Sequence, residues 1–433
     1  MLKKISLLLS IVLLVAAGIC SASDYTPRPG VLSPEQVDFE GKTVTILVGD
    51  LGYMGPYGGE PNPERMAEAE ALFNVKIELQ HLGTVNVADT IIARIMSGDA
   101  ALDIIRMPHR YGYYSLVSSN MLMAMNKILP QAYWDSLPRV DRYTIEKLGY
   151  AGNFYGFGIV YGLFNPSMMF ATYNKDIIER ENLPDPYELY LAGEWSYETL
   201  TQLAIAATKD TDGDGTPDQF GIDQRMISHD TRIYRLAAAN GAEIAKPDEN
   251  GRWVYTFNQP EAIDVMNQVV DWRYNLKVSG GSFSGGTALF YMQTNLAGTP
   301  GGYPNFGLVP IPSFTPGEYK YPAYDFAMNM LPINSAYPEG LIALVDFLFR
   351  EEDGEINLDY HINTYMKTQD HFNMFMDAIE SWQGEGDPFQ DMFWRTMQPH
   401  VISVIEAEKG AQATMDEIAP QIQAMIDDLF KQK

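Results

Sequence analysis

The alternation of strand-like and helix-like patterns between residues 43 and 107 constrains this chain most. Thr43-Val44-Thr45-Ile46-Leu47-Val48 is a β-branched apolar run that ends in Gly49-Asp50, the pattern of a buried strand and its loop. Residues 64–73 then read as a helix, Val75-Lys76-Ile77-Glu78-Leu79 as an alternating strand, residues 90–97 as a second helix, and Leu102-Asp103-Ile104-Ile105-Arg106-Met107 as a third strand. A β-α-β-α-β order needs crossover connections, so it specifies an α/β unit built on a mainly parallel sheet. Ligands of such sheets collect beyond the carboxyl ends of the strands. Asp50 follows the first strand and His109-Arg110-Tyr111-Gly112-Tyr113-Tyr114 the third, which makes Asp50 and Tyr111 candidates for a cleft.

Size and charge narrow the classes. With 433 residues and 46% apolar composition, the chain is long enough for two units with their own cores. Acidic residues outnumber Lys and Arg by 56 to 30, a formal charge of −26, which excludes nucleic acid as the main ligand because a phosphate backbone demands a basic footprint. The amino terminus combines Lys3-Lys4, an apolar run over residues 5–17 and the small residues Cys20-Ser21-Ala22-Ser23. This is the layout of a secretory signal over residues 1–22, cut after Ala22, and it implies an exported protein. Cys20 is the only cysteine, so the mature chain carries no disulfide. Ile19 occupies the place where a lipoprotein signal has a small residue, which leaves a lipid anchor at Cys20 off-pattern.

Asp210-Thr211-Asp212-Gly213-Asp214-Gly215-Thr216-Pro217-Asp218 sets carboxylates at alternate positions, then a glycine, then a further carboxylate. A helix-loop-helix calcium site draws oxygens from its first, third, fifth and ninth positions and turns on a glycine at the sixth. Asp210, Asp212, Asp214 and Asp218 fill those ligand positions and Gly215 the turn, so a structural Ca2+ is the expected cofactor. The twelfth position, where a bidentate Glu closes such loops, is Gly221, so a remaining ligand comes from elsewhere. The competing reading is a solvated Asp/Gly turn. Before the loop, residues 195–208 read as an amphipathic helix capped by Ser196.

The unit from Trp195 through the acidic loop to Phe220-Gly221-Ile222 resembles a signature region of the family 1 extracellular solute-binding proteins, the maltose-binding-like receptors of ABC importers. Phe73-Asn74-Val75, Ser97-Gly98-Asp99, Asn153-Phe154-Tyr155-Gly156-Phe157-Gly158, Tyr173-Asn174-Lys175-Asp176 and Phe306-Gly307-Leu308-Val309-Pro310-Ile311-Pro312 extend the resemblance over nearly all of the mature chain, with Leu102 replacing a usual proline. The resemblance implies an α/β, two-lobed periplasmic-binding-protein-like fold of type II with a ligand cleft between discontinuous lobes. Its crossovers would fall near residues 157, 292 and 347, giving one lobe from residues 23–157 plus 293–347 and another from 158–292 plus 348–433, the latter carrying the acidic loop 210–221. It further implies a monomer at the periplasm or cell surface, a mono- or oligosaccharide ligand and delivery to the membrane subunits of an ABC importer.

Sugars offer polar edges and apolar ring faces, so a sugar cleft needs aromatic platforms beside carboxylates or amides. Asp50, Tyr111, Tyr161, Asp230, Tyr324, Asp325 and Trp394 lie in loops of that character, although each aromatic could equally serve packing and Asp230 could cap the helix after it. Catalytic signatures are missing: there is no Gly-x-Ser-x-Gly, His-Glu-x-x-His, cysteine metal set or phosphate-binding Gly-Lys loop, and the six histidines are scattered. A glycosidase carboxylate pair has no fixed spacing, so a secreted carbohydrate-active enzyme stays open as an alternative, as does a receptor for a peptide, polyamine or other non-sugar solute.

Overall fold

The computed structural model describes residues 25–48, 63–83, 86–98, 102–158, 168–226, 230–294, 305–322, 327–349, 366–382, 389 and 396–431. Two main sheets organise them. The first has four strands in the order β11 (Ala327–Met330), β3 (Ile104–Pro108), β1 (Thr43–Val48) and β2 (Lys76–His81). β1 pairs in parallel with both β2 and β3, which the helices Pro63–Leu72 and Val87–Ser97 make possible as crossovers, while β11 closes the other edge antiparallel to β3. Val44 to Val48 are all buried, as expected for a central strand with both faces covered.

The second sheet has five strands in the order β10 (Phe306–Pro310), β4 (Phe170–Asn174), β9 (Ala288–Thr294), β5 (Phe220–Asp223) and β8 (Ser279–Gly280), and β6 (Ala245–Pro247) with β7 (Trp253–Tyr255) forms a small hairpin. One expectation is corrected here. The span 293–347 grouped the strand Phe306–Pro310 with the first lobe, but β10 runs antiparallel along β4 from Phe306↔Asn174 to Pro310↔Phe170 and so belongs to the second sheet. A proline-terminated strand carries no mark of the sheet it joins; its register with β4 decides. The chain therefore returns to the first sheet between Pro310 and Ala327.

The helix Tyr197–Ala207 illustrates how local sequence fixes this second unit. Ser196 caps it reciprocally: its hydroxyl accepts from the Thr199 N–H at 3.2 Å and the Thr199 hydroxyl accepts from the Ser196 N–H at 2.8 Å. Such a cap contributes about 1 kcal/mol. Leu200, Leu203, Ala204 and Ala207 form the buried face, and Trp195 in front of the helix is fully buried, its indole N–H donating to the Pro310 carbonyl at 2.9 Å. Gly221 of β5 lies so close under this helix that a Cβ there would stand 2.3 Å from the Ala204 Cα.

Contacts between the two units are aromatic and polar. Tyr114, just beyond β3, packs its ring against Trp253 of β7, Phe389 and Phe430 of the terminal helix Ala411–Phe430, with centroids 5.4–6.3 Å apart. Lys147 pairs with Glu243 at 2.8 Å, and Arg139 donates to the Ile379 carbonyl at 2.7 Å.

Candidate functional site

Strand directions put one edge of each sheet in the same connection. In the second sheet the carboxyl ends of β5 and β9, the start of β4 and the end of β10 share an edge, because Phe170 is partnered by both Thr294 and Pro310. The chain leaves that edge after Pro310 and re-enters the first sheet at Ala327, opposite Pro108 at the carboxyl end of β3; Phe157, ahead of β4, bridges to Asn329 in the same region. These edges are where a solute of an open α/β sheet is expected to sit.

The first edge carries Tyr111, in the short turn His109–Tyr111 that follows β3. It is only 6% exposed, and the Arg110 guanidinium lies 4.6 Å from its ring centroid, so in this conformation the ring is a packing surface and not an open platform. Asp230 is the first residue of the helix Asp230–Ala239; its side chain lies outside the described set. Asp50, Tyr161, Tyr324, Asp325 and Trp394 also lie outside the described residues.

The second edge carries a cluster that belongs to no motif of the sequence. Asp223 ends β5 with its carboxylate fully buried, and Arg225 folds back onto it: Nε donates to Oδ1 at 3.0 Å and Nη2 to Oδ2 at 2.6 Å. The backbone N–H groups of Arg225 and Phe283 add bonds of 2.8 Å each. Burial opposes ionisation of Asp223, but these donors outweigh it and hold the carboxyl below its ordinary range, while the carboxylate raises the arginine. The guanidinium keeps 46% of its side chain exposed and stands 5.4 Å from the Tyr291 ring centroid. The signal in the sequence was topological: an Asp at the carboxyl end of a strand with an arginine two residues on.

The acidic loop lies at the opposite end of β5. Lys209 and Gln219 pair across its neck, and inside it Gly213 and Gly215 adopt φ of +81° and +92°, a region that glycine enters without steric cost. Asp210 accepts the N–H groups of Gly213 at 2.6 Å and Gly215 at 2.7 Å, and Asp218 accepts from the backbone and hydroxyl of Thr211 at 2.9 and 2.7 Å. Carboxylate oxygens of Asp210, Asp212 and Asp218 come within 4.8 Å of one another. Asp214, expected as a fourth ligand, does not join that group; it accepts the Thr216 N–H at 2.7 Å. The Gly215 N–H is the main donor that lowers Asp210, and the Thr211 hydroxyl the main one that lowers Asp218. Among the described residues no lysine or arginine pairs with these four aspartates; Lys209 is engaged by Glu181. Three convergent hard oxygens without a basic partner fit a Ca2+ ion. Gly221 offers no side-chain ligand at the twelfth position, and the close approach of Ala204 leaves no room for one.

A separate cavity of about 390 Å³ opens in the second unit between Tyr190, Tyr319, Tyr321 and Asp377, and Tyr190 donates to Asp377 at 3.2 Å. Burial, foremost, and the neighbouring carboxylate push the Tyr190 hydroxyl up to about 12, so it stays a donor at all physiological pH. None of the candidates from the sequence lines this cavity.

An ABC substrate-binding protein from Listeria monocytogenes, solved with cycloalternan, superimposes with a TM-score of 0.61 at 13% identity over 90% of this chain and 100% of its own. A cyclo/maltodextrin-binding protein complexed with maltotetraose gives 0.60 at 17% identity over 89% and 97%, and an open sugar transporter protein from Rhizobium etli gives 0.64 at 12% identity over 88% and 99%. At these identities the likeness establishes the fold, an α/β, two-lobed substrate-binding architecture. No curated protein sequence matches the chain. The family model for bacterial extracellular solute-binding proteins matches residues 60–355, well over half of the sequence, and this chain belongs to that family.

Proposed function

We propose that this chain is an exported receptor that captures a sugar or oligosaccharide by closing its two lobes and passes it unchanged to an ABC importer. The observation that carries this reading is the meeting of family membership with the edge geometry: the strand ends of the two sheets are joined by the connection from Pro310 to Ala327, and the second sheet carries the half-exposed Arg225 beside Tyr291. The complexes of similarly folded proteins with cycloalternan and maltotetraose support a carbohydrate as the solute class. Closure works by differential binding, since a solute touched by both lobes favours the conformation in which both contacts exist. In this reading residues 1–22 direct export and are removed.

The same reading assigns Asp210, Asp212 and Asp218 to a structural Ca2+, which would supply the positive charge that the loop lacks and brace the connection between the helix Tyr197–Ala207 and β5. The test is thermal unfolding of the mature protein against sugars, polyols, peptides and amines, followed by chemical analysis of any hit. A saturable rise in midpoint with a sugar recovered intact is expected. Conversion of the sugar to product would make the protein a carbohydrate-active enzyme, and a rise only with peptides or amines would change the solute class.

A further inference from the structure

A half-exposed arginine whose carboxylate partner is fully buried is an unusual expenditure if its role is only to stabilise β5. An exposed ion pair contributes little, and burying a carboxylate is costly unless every lone pair is met. Here every donor aimed at Asp223 acts to fix one neighbour: Nε and Nη2 of Arg225 are both held, and the N–H groups of Arg225 and Phe283 lock the carboxylate in place. The guanidinium is thus oriented as a rigid fork. Its Nη1 amino group has no hydrogen-bond partner among the described residues, and the guanidinium carbon stands 5.4 Å from the ring centroid of Tyr291 on the neighbouring β9. Phe283 flanks the same tyrosine with a centroid separation of 6.0 Å.

We propose that Arg225 is a solute-contacting, specificity-determining residue of the receptor site, and that Asp223 is the positioning residue that aims it. This rests on the receptor reading above and deepens it by naming chemistry. Because Asp223 already neutralises the guanidinium, the corner formed by Arg225 and Tyr291 favours an uncharged ligand: a sugar ring edge whose hydroxyl oxygens accept from Nη1, with an apolar face against the tyrosine. Free carboxylates gain less here than at an unpaired arginine. The strongly acidic character of the whole chain acts in the same direction.

The experiment is titration calorimetry of the mature protein with maltotriose, maltotetraose and glucose, and with glucuronate as the acidic counterpart, on wild type and on R225A, R225K, D223N and the D223N/R225A double variant. For the neutral sugar that binds wild type, R225A is expected to weaken binding at least tenfold and R225K nearly as much, since an ammonium cannot reproduce the fork. D223N should weaken binding on its own but add nothing on top of R225A, the non-additivity of a residue that acts through another. Removing Arg225 leaves Asp223 unpaired and lowers the sugar-free midpoint; the double variant relieves that without restoring affinity. Wild-type affinity in R225A, recovery of affinity in the double variant, or preference for glucuronate over glucose would each overturn the proposal. Absence of binding by folded wild type to every sugar would overturn the receptor reading and this inference with it, an outcome distinguished by appearing before any substitution is made.

Discussion

The two ends of β5 solve the same electrostatic problem in opposite ways. At the amino end, the loop 210–218 gathers carboxylates in the open and satisfies them with its own N–H and hydroxyl groups, leaving their charge uncancelled. Four residues of strand later, Asp223 is buried without exposure and its charge is cancelled by Arg225. Carboxyls at both ends lie below the ordinary range, but Asp210 is lowered chiefly by backbone dipoles whereas Asp223 overcomes burial through a cation. Uncancelled surface charge is suited to an external cation; cancelled, buried charge is suited to aiming a side chain. In the proposed reading, ion binding falls to one end and solute recognition to the other.

The contrast breaks first under the same substitution at each end. Asp223→Ala strands Arg225 and empties a buried acceptor site, and should cost about 3 kcal/mol, near the low end for breaking a buried pair because the arginine can turn to water. Asp218→Ala, at a partly exposed site outside any ion pair among the described residues, should lower calcium-free stability much less. Urea unfolding of both variants in chelator checks the pair, and equal losses would erase the distinction.

Acid titration sharpens the comparison once a third group is subtracted. His371 is 1% exposed, accepts from the Lys367 N–H at Nδ1 and bonds the Phe306 carbonyl through Nε2, and burial pushes it down to about 4. Between the ordinary histidine value of 6.5 and about 4, the unfolded chain therefore binds a proton that the folded chain refuses. Stability falls as pH falls through that window, by roughly 3 kcal/mol in total, and the slope ends once the folded imidazole also protonates. His371→Gln should flatten that limb. Part of what remains at lower pH is the loss of Asp223 stabilisation, present above the unfolded carboxylate value and lost as pH falls through the depressed folded value, and that part should vanish in Asp223→Asn while the share of Asp210 and Asp218 persists. Unfolding free energies from pH 3 to 7 decide it.

Calcium tests the amino end alone. At a hundredfold excess over its dissociation constant, a bound ion adds about 2.7 kcal/mol. Asp212→Ala should abolish that gain and Asp223→Asn should preserve it. A calcium response that survives Asp212→Ala would place the ion elsewhere.

Much of the scaffold was legible because it rests on local rules. The strand Thr43–Val48 was marked by its unbroken β-branched run, the helix Tyr197–Ala207 by its capping serine, and the convergence of Asp210, Asp212 and Asp218 by their spacing. What escaped depends on distant partners. Phe306–Pro310 is a strand from its own sequence, but only its register with β4 assigns its sheet. Asp223 and Arg225 have no periodic signature, and the N–H that completes the carboxylate's shell returns from Phe283, sixty positions away. Tyr111 followed a strand end as expected, yet its burial beneath Arg110 is a matter of tertiary packing.

The central claim is that the protein holds a sugar without changing it, and equilibrium dialysis against a defined oligosaccharide mixture with mass spectrometry of both chambers tests it most directly. The expected result is enrichment of one neutral sugar at unaltered mass, saturating at one equivalent and lost in R225A. Retention of no sugar, or the appearance of shorter products in either chamber, would contradict it.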